Sequence, residues 1–138
     1  MAGYSGTPLS KKLGIKQGFA VTLLDAPAGF DRVLKEAKLP EDVRPARGLR
    51  GTLPFDVIVL FVTRRVDLAK RFGPATERLS EQTGAGIWVA WPKKTSGVAT
   101  DITEDVIREV CLPSGLVDNK VCAIDETWSG LRMVRRRQ

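Results

Sequence analysis

Two uninterrupted apolar runs dominate the hydrophobic pattern of this chain. Residues 55–62 are almost wholly apolar and rich in β-branched side chains, and residues 87–91 are apolar throughout. A strand without polar alternation is covered on both faces, which is typical of central strands in a parallel sheet. Because Pro92 cannot donate a hydrogen bond to a neighbouring strand, we expect the second run to end there.

Elsewhere apolar residues recur at intervals of three and four, which predicts helices. The predicted helices are a short one with Thr7 as N-cap and Pro8 at its first position, one over residues 30–38, one that Thr63 caps and Gly73-Pro74 break or kink, and one that begins at a capping box of Asp101 and Glu104. The third helix is predicted to bury Val66, Ala69, Phe72 and Leu79.

Weaker strand signals complete the pattern. Residues 19–24 form an apolar strand, and residues 39–54 are irregular, with a poor edge strand near Val43. Residues 117–124 and 127–134 predict an antiparallel hairpin. The alternation predicts an α/β fold, a three-layer Rossmann-like mostly parallel sheet with a C-terminal antiparallel hairpin. We expect a single domain over residues 1–138, with a flexible N-terminus at 1–6 and a basic tail at 135–138.

This layout is similar to the C-terminal half of Rossmann-like methyltransferases, which also end in an antiparallel hairpin. The segments GYSGTPL (3–9), KKLGI (11–15), LFVTRR (60–65), WVAWPKK (88–94) and LVDNKVCA (116–123) together resemble the bacterial family called domain of unknown function 3052. The resemblance spans almost the whole chain and is weakest over residues 39–54. It implies a compact Rossmann-like fold, and it carries over neither an activity nor a catalytic residue.

Residue types that are missing narrow the chemistry. The chain has no histidine and only two cysteines, Cys111 and Cys122, without CxxC spacing. This excludes ordinary zinc sites, histidine-activated nucleophiles and imidazole acid–base catalysis, so we expect two buried free thiols and no metal. The turn after the first strand, residues 25–30, has one glycine and a proline rather than a glycine-rich fingerprint. We therefore expect no cofactor, neither NAD nor S-adenosylmethionine.

Charge and hydropathy bear on partners and location. The net charge is +6, which attracts polyanions, but the basic residues are spread along the chain. No apolar run approaches the roughly 20 residues that span a bilayer, and residues 1–6 lack a signal-peptide pattern. We expect a soluble, cytoplasmic protein without membrane contact.

Three loops are predicted to meet at the C-terminal edge of the sheet, where open α/β sheets bind ligands. They gather the polar candidates Asp25, Arg64, Arg65, Lys93, Lys94, Thr95 and Ser96. Arg64 and Arg65 lie in the first helical turn, where cations oppose the helix dipole and a bound anion would relieve them. Alternatively, the arginines point into solvent or pair with Asp67, Glu77 or another acid.

The hairpin offers a secondary group of candidates. Asp118 and Lys120 face Trp128 and Arg132 on the partner strand, and together they could bind a planar ligand by stacking and charge. The alternative is cross-strand salt bridging beside a half-buried tryptophan.

These observations favour a non-enzymatic binding or regulatory module for a small anionic ligand at the C-terminal sheet edge. Two alternatives stay open. One is a nucleic-acid-binding protein that uses a basic face and Arg135 to Arg137. The other is a remnant methyltransferase-like enzyme with Asp25 or Asp118 as base. An exposed edge strand could pair with a second copy to form a homo-oligomer, and residues 4–6 could form a lid.

Overall fold

A six-stranded sheet forms the middle of the protein. The computed structural model describes residues 6–136 of the chain. The strands are β1 (Val21–Leu24), β2 (Ala46–Arg47), β3 (Val57–Phe61), β4 (Gly86–Pro92), β5 (Leu116–Ala123) and β6 (Trp128–Arg135). The helices are α1 (Leu9–Leu13), α2 (Phe30–Lys35), α3 (Arg65–Glu77) and α4 (Glu104–Cys111), with 3-10 turns at Lys94–Ser96 and Leu112–Ser114.

The strands lie in the order β2-β1-β3-β4-β6-β5. Strands β1 to β4 are parallel to one another, whereas β6 runs antiparallel to both β4 and β5. The chain leaves β1 for β2 on one side and then returns to β3 on the other, so the strand order reverses between β1 and β3. The predicted mostly parallel α/β sheet with an antiparallel C-terminal hairpin is confirmed.

Apolar layers cover both faces of the sheet. Helices α3 and α4 cover one face, here called the α3–α4 face, where Leu68 and Ile107 are fully buried. The other, called the α1–α2 face, is covered through Leu13 and Phe30. Every residue of β3 and β4 is buried, as expected of central strands that lack polar alternation.

Trp88 joins β4 to the first helix. Its side chain is fully buried, and its indole N–H donates to the carbonyl of Leu13 at 3.0 Å. Gly130 on β6 makes room for the ring, because a Cβ at this position would lie 3.0 Å from the indole. The hydrogen bond satisfies the buried N–H group, and the aromatic surface anchors α1 against the sheet.

Helix α3 is continuous through Gly73-Pro74, so of the predicted break or kink the break does not occur. Leu68, Phe72 and Ala75 are buried, so packing against the sheet holds the helix on both sides of the proline. Both Gly73 and Pro74 lie on the exposed side, where water can solvate the carbonyl that loses its N–H partner.

The predicted face of this helix is also partly wrong. Val66 is 53% exposed and Ala69 is exposed, whereas Phe72 and Leu79 are buried as predicted. The large apolar residues that contact the core start two positions later than the pattern of threes and fours suggested.

Other element boundaries differ from prediction in ways that local contacts explain. The edge strand lies at β2 rather than near Val43, which is buried in the α1–α2 layer outside any strand. The segment that pairs with β1 lies farther along the chain than Val43. Its position is held by Gly48, whose carbonyl accepts from the Thr22 hydroxyl at 2.5 Å and whose N–H donates to the carbonyl of Leu23 at 3.0 Å. At α1, Pro8 rather than Thr7 occupies the N-cap.

Strand β6 includes Arg135, so this residue does not belong to a free basic tail. Its guanidinium donates to the carbonyls of Leu79 and Ser80 at 3.0 and 2.8 Å, beyond the end of α3. Arg137 and Gln138, and the predicted lid residues Tyr4 and Ser5, lie outside the described residues.

Candidate ligand-binding site

The ends of β3 and β4 bring two basic segments side by side. Phe61 pairs with Ala90 in the parallel register, and Arg64 and Lys93 each follow three residues later in the chain, beyond the ends of β3 and β4. The β1 turn, which contains Asp25, lies on the other side of β3. The predicted loops therefore emerge at the same edge of the sheet.

Asp25 is neutralised within this edge. Its backbone has φ 59°, a left-handed conformation that aspartate tolerates better than most residues, and its carboxylate accepts from Arg71 Nε at 2.9 Å. Arg71 lies on α3 and was not among the partners predicted from sequence. A helix wheel gives no signal for this pair, because the contact depends on how α3 crosses the end of β1.

Asp101 occupies the N-terminus of α3, where the sequence suggested a bound anion. Its carboxylate accepts from the backbone N–H of Arg65 at 2.7 Å, and the Arg65 guanidinium donates to Glu109 at 2.7 Å. The loop is fixed by the Thr100 hydroxyl, which donates to the carbonyl of Thr63 at 2.7 Å. The dipole and one of the two arginines are thus satisfied by acids of the chain itself.

The predicted capping box at Asp101 and Glu104 is therefore wrong. Thr103 caps α4, since its side chain accepts from the N–H of Val106 at 3.2 Å. Arg64, rather than Thr63, is the N-cap residue of α3, and it makes no side-chain capping bond. Both helices begin one or two residues later than the sequence pattern suggested.

The lysine loop forms a tight turn of its own. The Ser96 hydroxyl donates to the carbonyl of Lys93 at 2.7 Å and accepts from Val98 at 3.1 Å, so it is engaged within the loop. Lys94 and Thr95 are exposed, and Lys93 is half-buried. Among residues 6–136, no carboxylate forms an ion pair with Arg64, Lys93 or Lys94.

The secondary candidates divide between the two faces of the sheet. Asp118 is opposite Met133 on the α3–α4 face, and its carboxylate accepts from Arg108 Nε at 3.1 Å. The hydrogen bond to Asp118 is the main cause that raises the pKa of Arg108, with Glu104 contributing. Asp118 is therefore separated from the other three residues.

Trp128 is closed to a stacked ligand. It is 9% exposed and meets Phe61 edge to face, with ring centroids 5.1 Å apart. Lys120 pairs with Arg132 across β5 and β6 on the same α1–α2 face. Arg132, however, extends away from Trp128 and donates to the carbonyl of Gly84 at 2.6 Å, beside the start of β4.

The β1 turn fits neither a dinucleotide nor S-adenosylmethionine in the way glycine-rich turns do. Its glycine, Gly29, serves as N-cap of the six-residue helix α2 in a left-handed conformation. The first helical N–H, from Phe30, already donates to Pro27 at 3.2 Å. At the end of β2, Arg47 is ion-paired with Asp31. The glycine of this turn and the first helical N–H are therefore engaged locally rather than held open for a close backbone contact.

Two further observations concern metals and membranes. Among the described residues, no three acidic or cysteine side chains are close enough to hold a metal ion. Within residues 6–136, no helix combines the length and apolar character that crossing a membrane requires.

Solved structures resemble this chain in fold, although no protein-family model and no curated protein sequence matches it. Ribosomal protein L11 methylase from Lactobacillus delbrueckii subsp. bulgaricus aligns over 94% of this chain and 76% of its own, at 12% identity and a TM-score of 0.60. A SAM-dependent methyltransferase from Aquifex aeolicus aligns over 89% and 85%, at 15% identity and a TM-score of 0.56.

Fibrillarin from Aeropyrum pernix, solved with natively bound S-adenosyl-L-methionine, is also similar to this chain in fold. It aligns over 88% of this chain and 69% of its own, at 14% identity and a TM-score of 0.55. At these identities the likeness is one of fold alone. This chain has the fold of Rossmann-like methyltransferases, in which a mostly parallel sheet ends in an antiparallel pair of strands.

Proposed function

We propose that this protein is a non-enzymatic binding module that holds a small anionic ligand at the C-terminal edge of its sheet. The observation that carries the proposal is the set of cations left over at that edge. Arg64, Lys93 and Lys94 extend from two adjacent strands, and no carboxylate of residues 6–136 pairs with them. Such a cluster attracts an anion to the place where α/β sheets commonly bind ligands.

The surroundings of the cluster define what kind of binding to expect. Asp101 already satisfies the start of α3, so the ligand is held by side chains rather than by helix N–H groups. Arg64 and Lys94 are exposed, which makes their attraction sensitive to ionic strength. A small, multiply charged anion bound with modest affinity fits this edge best.

A remnant methyltransferase-like enzyme is the second candidate, favoured by the shared strand arrangement. The β1 turn argues against it, because its glycine and first helical N–H are engaged locally. We also propose, on the residues that carry the resemblance, that the chain is a member of the domain of unknown function 3052 family.

The test is a sulfate titration followed by two-dimensional amide NMR at constant ionic strength. We expect the amides of Thr95 and Ser96 to shift in a saturable way in the wild type. The double variant Lys93→Gln/Lys94→Gln should lose most of the response, because it removes two of the three unpaired cations. S-adenosylmethionine, added separately, should leave the β1 turn amides unchanged.

A matched control carries the same change of net charge elsewhere. Lys35→Gln/Lys70→Gln neutralises two exposed lysines outside the edge and should titrate as the wild type does. If sulfate shifts no amide of the loop, or if both double variants respond alike, the anion-binding function at this edge is excluded. Saturable shifts at the β1 turn with S-adenosylmethionine would favour the methyltransferase alternative.

A further inference from the structure

Arg132 on β6 is a half-buried cation that, among the described residues, has no acidic partner. It lies across β4 at Gly86, where an added Cβ would approach its Nε to 2.8 Å, so only glycine leaves room for the side chain. One guanidinium nitrogen donates to the carbonyl of Gly84 at 2.6 Å, and within residues 6–136 no carboxylate pairs with Arg132. Burial lowers the pKa of this arginine, a sign that its charge is poorly solvated.

The charged side chains that lie near Arg132 are also basic, so they do not neutralise its charge. Lys16 Nζ lies 4.0 Å from the position that a Cβ on Gly84 would occupy, and Lys120 is the cross-strand partner of Arg132. These residues line a cavity of about 210 Å³ together with Lys12, and four of its seven lining residues are basic and none is acidic. Arg132 is partly withdrawn from water beside the exposed cations Lys16 and Lys120, so these like charges repel one another and a bound anion would relieve the repulsion.

A larger cavity adjoins the first. It has a volume of about 510 Å³ and shares Gly84 and Arg132 with the smaller one. Asn119 and Thr83 supply polar groups to its wall, Arg135 and Arg136 add cations, and the exposed Glu81 is its one acidic lining residue. We call the two cavities together the Arg132 groove, which lies beside the start of β4, opposite the edge that carries Lys93 and Lys94.

We propose that the Arg132 groove is a second ligand site, which binds a phosphate ester of a small polar molecule. The phosphate occupies the smaller cavity, whose charged lining residues are all basic, and the guanidinium of Arg132 and the ammonium groups of Lys16 and Lys120 surround it. The polar remainder of the ligand lies in the larger cavity, and the combined volume is in the range of small-molecule sites. This site does not depend on the anion site at the C-terminal edge, and either can exist without the other.

The test is a titration with inorganic pyrophosphate at constant ionic strength, followed by amide NMR and by isothermal calorimetry. We expect saturable shifts at Gly84, Asn119 and Lys120. Arg132→Gln should weaken the pyrophosphate Kd by about tenfold or more, since a charge-assisted contact to a desolvated group is lost. Arg50→Gln removes an exposed guanidinium that does not line either cavity and should leave the Kd unchanged.

A second variant keeps the proposal testable if Arg132→Gln does not fold. Lys16→Gln/Lys120→Gln changes two exposed side chains and should weaken the Kd several-fold. Absence of saturable shifts at the groove, or an unchanged Kd in either groove variant, overturns the proposal. A short oligothymidylate that binds through Arg132, while pyrophosphate does not, would also overturn it in favour of nucleic acid.

Discussion

Charged side chains are compensated differently at the two ends of the parallel strands. At the C-terminal edge, Asp25 pairs with Arg71, Arg65 pairs with Glu109, and Asp101 satisfies the start of α3. At the opposite edge, Arg132 is half-buried, donates to the carbonyl of Gly84 and forms no ion pair within residues 6–136. The first edge also carries Arg64, Lys93 and Lys94 without an acidic partner among residues 6–136, but acids of the chain pair with its other bases. The smaller cavity beside Arg132 has no acid in its lining at all.

This difference shows which features indicate a binding site. Exposed ion pairs are worth little and are easily formed, so a dense group of charges at a surface says little about ligands. A cation withdrawn from water without an acid carries an energetic cost, and a bound anion offsets it. The groove around Arg132 therefore makes the sharper hypothesis, although the C-terminal edge has the more familiar location.

The substitution with the largest expected effect is Gly86→Ala. The new Cβ would lie 2.8 Å from Arg132 Nε and 3.2 Å from Val134, so the guanidinium must leave its place across β4. We expect a loss of about 1–3 kcal/mol in the free energy of unfolding, as for other overpacked sites, together with a weaker pyrophosphate Kd. Urea unfolding and calorimetry measure the two effects.

Gly73→Ala is the matched control. Its added Cβ meets no atom within 4 Å in an exposed part of α3, and alanine favours a helix by about 1 kcal/mol relative to glycine. This variant should be as stable as the wild type or more so, and it should bind pyrophosphate normally. If Gly86→Ala also bound pyrophosphate with unchanged affinity, the position of Arg132 over β4 would be irrelevant to the groove.

Asp101→Ala tests whether the chain's own acid blocks the C-terminal edge. Removal of the carboxylate leaves the Arg65 N–H without its 2.7 Å acceptor and should cost about 1 kcal/mol, the usual value of a lost helix cap. It also opens the N-terminus of α3 beside Arg64, so sulfate should bind this variant more tightly than the wild type. Thermal unfolding in sulfate against chloride at equal ionic strength measures both effects.

Asp105→Ala makes the same change of charge four residues farther along the chain, in the first turn of α4. Asp105 is exposed, and within residues 6–136 its ion pair is with Arg108, at 3.2 Å, so its loss should change little. If the Asp101 and Asp105 variants respond to sulfate alike, net charge rather than the helix terminus explains any gain in binding.

Local and periodic features made much of the fold predictable from the sequence. The two apolar runs placed β3 and β4 at the centre of the sheet, and the Asp125-Glu126 turn between apolar segments placed the hairpin. The break at Gly73-Pro74 was not correct, because packing of Phe72 and Ala75 outweighs a local preference when the proline faces water.

The candidate sites were less predictable because they depend on contacts between distant residues. Asp101 and Arg65 are 36 residues apart and meet only because one loop crosses above β3. The sequence grouped Arg132 with Trp128 as residues that could bind one ligand. In the structure the Arg132 side chain extends across Gly86 and away from Trp128, which spacing along the chain does not predict. Sequence spacing predicts which edge a loop reaches but not which acid neutralises which base.

The smallest predicted effect uses Cys122 as a reporter of charge in the groove. Burial raises the pKa of the Cys122 thiol, and the ammonium groups of Lys12 and Lys120 partly offset this. Lys120→Gln removes one of these charges and should raise the pKa further, which lowers the fraction of reactive thiolate. Alkylation of Cys122 should therefore slow by roughly twofold, the size expected for one partly exposed charge.

The other cysteine does not obscure this measurement. Cys111 is fully buried, and burial raises its pKa to about 12, so it should remain unreactive in the folded protein. Pyrophosphate in the groove brings negative charge beside Lys120 and should also slow alkylation of Cys122 in the wild type, as mass spectrometry can follow. The same addition should have much less effect in Arg132→Gln, because the anion no longer binds there. Equal slowing in both proteins would place the pyrophosphate away from Arg132 and would remove the contrast between the two edges.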